Sequence, residues 1–424
     1  MIELAAATLA KIAFLLAVIL GLVPVLIWAE RKGSAFIQDR TGPNRASVAG
    51  IRLGGLVHPI ADVLKLLFKE DVRPAQVHGG LYALAPFLVF FVSLLTYAVL
   101  PFGDYLQVGD QRFPLVVADL DVGILYILAI ASLGTYGVVM GGWASNNKYT
   151  FLGALRSSSQ MISYEISMGL AIMGLILISG SLRLTEIVAD QGRLLWGFLP
   201  AWGVVVQPLG AVLFITAVFA ETNRNPFDLP EGESELVSGY HLEYSSMKFA
   251  LFFMAEYTNM VIASAMITTL FFGGWNIPWL SREVIEANAG VVVPAVMVLK
   301  IAVLGAASLL LLRRAAREKG KFGDARDREP GLLGVIFGVL ALLVAAGFAL
   351  KPWAIGPQAA SVAATLLQVG AFVGKVVFFC WFFIWVRWTL PRFRYDQLMG
   401  LGWKVMLPLA LVNLVITAVW LAVF

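Results

Sequence analysis

Long apolar runs separated by short charged segments make up most of the chain. Ten stretches, at 5–28, 80–101, 119–142, 164–182, 202–220, 250–273, 290–312, 331–350, 363–386 and 405–423, approach or exceed the roughly 20 residues that a helix needs to cross a bilayer core. They predict an all-α polytopic membrane protein of about ten transmembrane helices, with residues 1–424 as a single membrane domain. Several runs contain Pro or Gly, which spans tolerate where neighbouring helices satisfy the freed backbone. The first run is too long for a leader core and ends in Glu30-Arg31-Lys32, so it reads as a retained span. A different pattern lies in HPIADVLKLLFKED (58–71), where Ile60, Val63, Leu64 and Leu67 follow an i, i+3, i+4, i+7 stripe. This segment is too short to span and predicts an amphipathic helix lying along the membrane surface.

Charge fixes the orientation. The loops 29–79, 143–163, 221–249, 313–330 and 387–404 hold 23 Lys and Arg residues, against 5 in the loops on the opposite side. The positive-inside rule therefore places the first set in the cytoplasm and both termini outside. Overall composition agrees: 59% of residues are hydrophobic and only 14% charged, where soluble domains run near 25% charged. The net charge of +4 reflects loop asymmetry and gives no reason to expect nucleic acid as a partner. Cys380 is the only cysteine and the three histidines are widely spaced, so a disulfide, a four-cysteine iron–sulfur site or a zinc ribbon cannot form within the chain. Any redox cofactor then belongs on another chain.

The segment 221–257 departs from the rest. It carries Glu221, Asp228, Glu231, Glu233, Glu235, Glu243 and Glu256 against only Arg224 and Lys248, and it sits between the charge-free runs 194–220 and 257–281. Carboxylates next to membrane spans must meet water, a partner or a proton. Closely spaced acids in low dielectric cannot all be ionised, so some should exchange protons near neutral pH. A solvated acidic loop is the plainer alternative. Glu165 opens the run 164–182 and Glu221 closes 202–220, so both are expected at the cytoplasmic membrane edge. Lys375 stands in an apolar run and is expected to face the bundle or to snorkel.

The cytoplasmic segments AERK (29–32), QDRTGPNR (38–45), ADVLKLLFKED (61–71), GWASNNKYTFLGALRSSSQMISYE (142–165), ETNRNPFDLPEGESELVSGYHLEY (221–244), FFMAEYTNM (252–260) and PRFRYDQLMGLGWK (391–404) carry a resemblance. The chain resembles the family of the membrane subunit that joins the two arms of NADH:quinone oxidoreductase, respiratory complex I, which is the H subunit in bacteria and subunit 1 in mitochondria. The likeness covers most of 1–280 and 365–424. It departs in three places. The family usually has eight spans, so the pair 290–312 and 331–350 reads as an inserted hairpin over 290–350, joined by a loop with seven bases and four acids. The stretch from Arg45 to Ala61 is longer than usual, with His58 where glutamine is common. Tyr240 stands where phenylalanine is commoner.

The resemblance implies two tasks for this chain in a proton-pumping complex. It would form the membrane side of the quinone chamber, with Arg31, Arg40, Arg45, Asp62, Glu70 and Phe227 as candidate residues. It would also begin an acidic proton and coupling path through Glu165, Glu221, Asp228, Glu231, Glu233, Glu235, Glu243 and Glu256. Quinone is then substrate, with no covalently bound group, no metal and no complete redox site on this chain. FMN and iron–sulfur clusters are expected on partner subunits. The implied partners are the peripheral-arm iron–sulfur and quinone-site subunits, small neighbouring membrane subunits and lipids, in a bacterial cytoplasmic membrane. For the chamber arginines the plainer reading is positive-inside anchoring, and for Phe227 it is turn packing. The nearest rival is the related membrane component of an energy-converting hydrogenase or formate hydrogenlyase. A stand-alone cation/proton transporter would need matched broken helices in an inverted repeat, and none is seen.

Overall fold

Apolar runs of this length fold as helices because lipid offers no partner for backbone N–H and C=O groups, and a helix pairs them within the segment. The computed structural model describes residues 2–48, 51–229, 232, 236–318, 320, 323, 327–350 and 356–423. Its helices are α1 (Ile2–Ile37), α2 (Val57–Phe68), α3 (Gly79–Thr96), α4 (Gly123–Ala144), α5 (Lys148–Ser179) and the short α6 (Leu184–Asp190). They continue with α7 (Gly203–Val206), α8 (Pro208–Glu221), α9 (Ser246–Phe271), α10 (Arg282–Ala287), α11 (Ala289–Glu318) and α12 (Glu329–Leu350). The last are α13 (Pro357–Thr389), α14 (Tyr395–Gly400) and α15 (Leu407–Val423), with a π-helical turn at Leu401–Met406 making α14 and α15 one continuous span. Two small antiparallel hairpins, Tyr105–Val108 with Gln111–Pro114 and Leu194–Leu195 with Leu199–Pro200, lie in the loops.

Among the described residues nine helices are long and apolar enough to cross a membrane, and α8 is a shorter apolar helix. The predicted span 202–220 is therefore not one helix. Pro208 has no N–H to donate and starts a new helix, while Gln207 takes φ −135° and ψ 61°, outside the helical region. The break is held by side chains: Gln207 Nε2 donates to Thr417 Oγ1 at 2.6 Å, and Asn413 Nδ2 donates to Gln207 Oε1 at 2.8 Å.

The second departure is at α5. The predicted loop 143–163 is mostly helix, and the span begins at Lys148, so Glu165 lies in mid-helix and not at its opening. The polar run that hides the helix from a hydropathy reading faces inward: Ser157, Ser158, Gln160, Ser163 and Ser167 are all buried. Gln160 Nε2 donates to the carbonyls of Ala220 and Phe227 at 2.7 Å each, binding α5 to the end of α8 and to the chain beyond it. Gly153 sits on the same helix where a Cβ would come within 2.9 Å of the Gly239–Tyr240 backbone.

The amphipathic helix is present as α2, ending at Phe68, and its Ile60, Val63, Leu64 and Leu67 are exposed, which suits a lipid-facing stripe. The most enclosed spanning helix is α9, with α1, α3, α8 and α13 packed around it. Just beyond its last turn the backbone reverses through Gly273 (φ 72°) and Gly274 (φ 51°). The carbonyls of Phe272, Gly274 and Asn276 there converge on Lys375 Nζ of α13 at 2.8, 3.0 and 2.7 Å. Lys375 thus faces the bundle, with its ammonium 4.6 Å from the centre of the Trp202 ring.

Candidate functional site

The chain leaves α8 at Glu221 and turns through Thr222 and Asn223 to Arg224, whose side chain is 2% exposed. Buried charge must be matched, and the neighbouring elements supply the match. Arg224 Nη1 donates to Glu30 Oε2 of α1 at 3.0 Å, and its Nε lies 2.9 Å from Glu256 Oε1 of α9. The guanidinium also stands 4.3 Å over the Tyr257 ring, and Tyr257 Oη donates to Glu30 Oε2 at 2.9 Å. Arg387 of α13 reaches the other oxygen of Glu30 at 2.7 Å. Asp228 pairs with Arg392 at 2.9 Å. Three acids and three arginines from α1, α9, α13 and two connecting segments therefore form one region of paired, mostly buried charge.

The matching is not complete. Arg224 Nη2 and Asp228 Oδ1 are buried without a hydrogen-bond partner. Burial works against the Arg224 charge, yet Glu256, Glu30 and Tyr257 hold its proton more firmly than usual. Burial pushes the Asp228 carboxyl up to about 6, with Arg392 pulling the other way and Glu256 adding to the rise. Asp228 thus holds its proton more tightly than an ordinary aspartate.

Glu256 also faces a cavity of about 100 Å³ between α3, α4, α5, α8 and α9, and Glu221 lines the same cavity. Most of its lining is apolar, and Glu221, Thr222, Asn223 and Glu256 are among the polar groups at its α8 and α9 side. Glu221 Oε2 is buried with no hydrogen-bond partner. Glu165 of α5 is close enough for its charge to act on Glu221, and it accepts a short hydrogen bond from Ser132 Oγ. The arrangement runs from the arginine network through Glu256 and the cavity to Glu221 and Glu165. Such a series can take up, hold and pass protons.

Other sequence-predicted residues fall elsewhere. Glu243 lies apart from this series: its Oε1 accepts from Asn147 Nδ2 at 2.6 Å, and its carbonyl accepts from Tyr82 Oη at 2.6 Å. His241, two residues earlier, is held down to about 4 by burial. Glu231, Glu233 and Glu235 lie outside the described residues. Arg31 and Asp62 are brought together at 2.6 Å, joining α1 to α2. Arg40 is exposed and bonds to Gln38 at 2.7 Å, and it lines a separate cleft. Arg45 is exposed and Glu70 is exposed at the end of α2. Phe227 does not present its ring to an opening. It is buried between Tyr164 and Phe393, at 5.7 and 5.4 Å, because the turn at Pro226 folds it back on the core.

Sequence reasoning missed Glu30, Tyr257, Arg387 and Arg392 as members of the network and counted Arg224 only as a stray base. The available signal was the position of Arg224, a lone arginine between two spans in an acidic segment.

Comparison with known proteins follows the same lines. The family profile described as NADH dehydrogenase matches residues 10–320 and 332–418. The chain is similar to the H 1 subunit of NADH-quinone oxidoreductase from Solibacter usitatus, 44% identical over 412 residues, which is 97% of this chain and 95% of that protein. It is 42% identical over 400 residues to NADH-quinone oxidoreductase subunit 8 of Rhodothermus marinus, covering 94% and 93%. With the H 1 subunit from Cytophaga hutchinsonii it shares 40% over 397 residues, covering 94% and 91%.

Proposed function

The chain belongs to the family of the H subunit of NADH-quinone oxidoreductase, and from that premise we propose that it frames the membrane side of the quinone chamber and couples quinone reduction to proton movement. It is a multi-pass membrane subunit of that enzyme, without a full redox site of its own. The similarities give no support to the hydrogenase alternative.

In this reading electrons reach quinone from FMN and iron–sulfur clusters on partner subunits. The quinone enters from lipid beside α1, α2 and α9, which pack together on the basic side of the bundle. Arg31 and Asp62 fix α2 against α1 at that opening. The basic side is cytoplasmic, and ten crossings, counting α7 and α8 as one, return both termini to the periplasmic side of a bacterial inner membrane. The α11–α12 hairpin is an addition within the single membrane domain, and its two crossings leave the topology of the rest unchanged.

One observation carries the coupling role: Glu256 belongs both to the buried arginine network and to the cavity that holds Glu221. A charge change near Arg224 alters the balance at Glu256, and the cavity carries the proton response inward to Glu221 and Glu165. The unpartnered atoms of Arg224, Asp228 and Glu221 support this, since they leave room for a changing hydrogen-bond pattern.

The test is Glu256→Gln in the assembled complex. Quinone reduction and proton pumping should fall together, while NADH oxidation by a hydrophilic acceptor at the electron-input end stays at the parental rate. Parental pumping in fully assembled Glu256→Gln complex would sink the proposal.

A further inference from the structure

A cleft of about 610 Å³ opens between the end of α1, the segment after it and the α11–α12 hairpin. Its α1 wall carries Trp28, Lys32 and Phe36, spaced four residues apart and so on one helix face. The hairpin wall carries Leu311 and Arg314 from α11 and Leu333 from α12. Gly54 clamps the two walls together: its carbonyl accepts from Trp28 Nε1 at 3.1 Å, and its N–H donates to Glu329 Oε1 at 2.7 Å.

The charge in the cleft is uneven. Asp39 and Glu329 stand against Lys32, Arg40 and Arg314, and Arg317 adds a further cation one turn along α11. The Glu329 carboxylate is nearly buried and engaged by the Gly54 amide. Lys32 gives one bond, to the Thr41 carbonyl at 2.8 Å, and Arg40 bonds Gln38 and Ser34. Both side chains have more donor hydrogens than these bonds use.

Apolar walls and a cationic rim on one cleft match an amphiphile and not a soluble anion. The volume lies in the range of small-molecule sites. The setting agrees, since little of either hairpin helix is enclosed by the rest of the chain, which leaves their flanks to lipid. We propose that this cleft binds an anionic glycerophospholipid, with its phosphate at Lys32, Arg40 and Arg314 and its acyl chains between α1 and the hairpin. The lipid would act as a wedge that fixes the hairpin against α1. This site is separate from the arginine network and does not depend on the coupling role proposed above.

The test uses the whole purified complex, partly delipidated and reloaded with a phosphatidylglycerol carrying a photoreactive group near the head, or with the matching phosphatidylcholine. Adducts are mapped by peptide mass spectrometry. Phosphatidylglycerol should label the peptides containing Trp28–Phe36 and Leu311–Arg314 in preference to phosphatidylcholine. Arg314→Gln should lower that labelling about fivefold, the effect of one basic charge near a lipid surface. Leu333→Trp keeps every charge but fills the cleft, and should remove the labelling even if Arg314→Gln fails to assemble. Equal labelling by the two lipids, or labelling that both variants leave unchanged, would overturn the site. So would labelling of the same peptides by a photoreactive quinone that phosphatidylglycerol does not displace.

Discussion

Replacing Arg224 by methionine keeps much of the side-chain volume and removes the cation between two buried carboxylates. Glu30 and Glu256 sit 3.0 and 2.9 Å from it and are only 8% and 12% exposed. At an effective dielectric near 20, each contact of about 3 Å carries roughly 5–6 kcal/mol of Coulomb attraction. Much of this is offset by the desolvation of the three charges, and breaking such a buried pair from one side costs about 3–5 kcal/mol. Glu30 keeps Arg387 as a partner, whereas no other basic side chain is seen paired with Glu256 among the described residues, so most of the penalty falls on Glu256. The double variant Arg224→Met, Glu256→Gln removes that uncompensated charge and should recover a large part of the loss. Amide hydrogen exchange over 222–229, measured in the intact complex, reads the local opening. A loss of about 3–5 kcal/mol corresponds to exchange faster by roughly two to nearly four orders of magnitude. Exchange in Arg224→Met at the parental rate, or a double variant less protected than the single one, would refute the electrostatic reasoning.

Three further outcomes follow. Gly153→Ala places a methyl within 2.9 Å of the Gly239–Tyr240 backbone, so the acidic segment must shift; the complex should lose about 1–3 kcal/mol of stability, read as a lower midpoint in a thermal scan, with quinone reduction falling as well. Lys375→Met leaves three carbonyls beyond α9 without their donor and should lower the same midpoint, whereas a parental midpoint would mean that those carbonyls find other partners. His241 and Asp228 should give opposite pH trends by linkage. Burial lowers His241 from its ordinary 6.5 to about 4, so its contribution is full above pH 6.5 and is lost as pH falls toward 4. Burial raises Asp228 from 3.8 to about 6, so its contribution is full below 3.8 and is lost as pH rises through 6. The protection factor over 239–245, after correction for the intrinsic pH dependence of amide exchange, should therefore fall on acidification in the parental complex, and His241→Gln should flatten that response.

Hydropathy made the fold legible wherever a helix is apolar along most of its length, as in α3, α4 and α12. It failed where a helix turns a polar stripe inward. The serines and Gln160 of α5 read as a loop on paper, yet they are buried, and Gln160 and Ser157 bond to residues at the end of α8 and just beyond it. It also failed at Pro208, which a window average passes over and which in fact starts a second helix. The candidate site was half legible. The excess of carboxylate in 221–257 pointed to Glu221 and Glu256 directly, because each lies next to a charge-free run. Glu30, Arg387 and Arg392 join the site from other parts of the sequence, and only the packing of α1 and α13 on α9 brings them to Arg224. For Phe227 the sequence left chamber lining and turn packing open, and the geometry favours turn packing, with the ring against Tyr164 and Phe393.

The joint between α9 and α13 has a property that follows from how Lys375 is held. Three backbone oxygens at 2.7–3.0 Å beside an aromatic face make a seat of the sort that a loose potassium or ammonium ion would fill. Here the occupant is covalently attached to one of the two parts it connects. It does not exchange with the surroundings, and dilution or a change of counter-ion cannot strip it out. The seat at the end of α9 therefore needs no ion from the medium, where a borrowed ion would have tied its occupancy to salt.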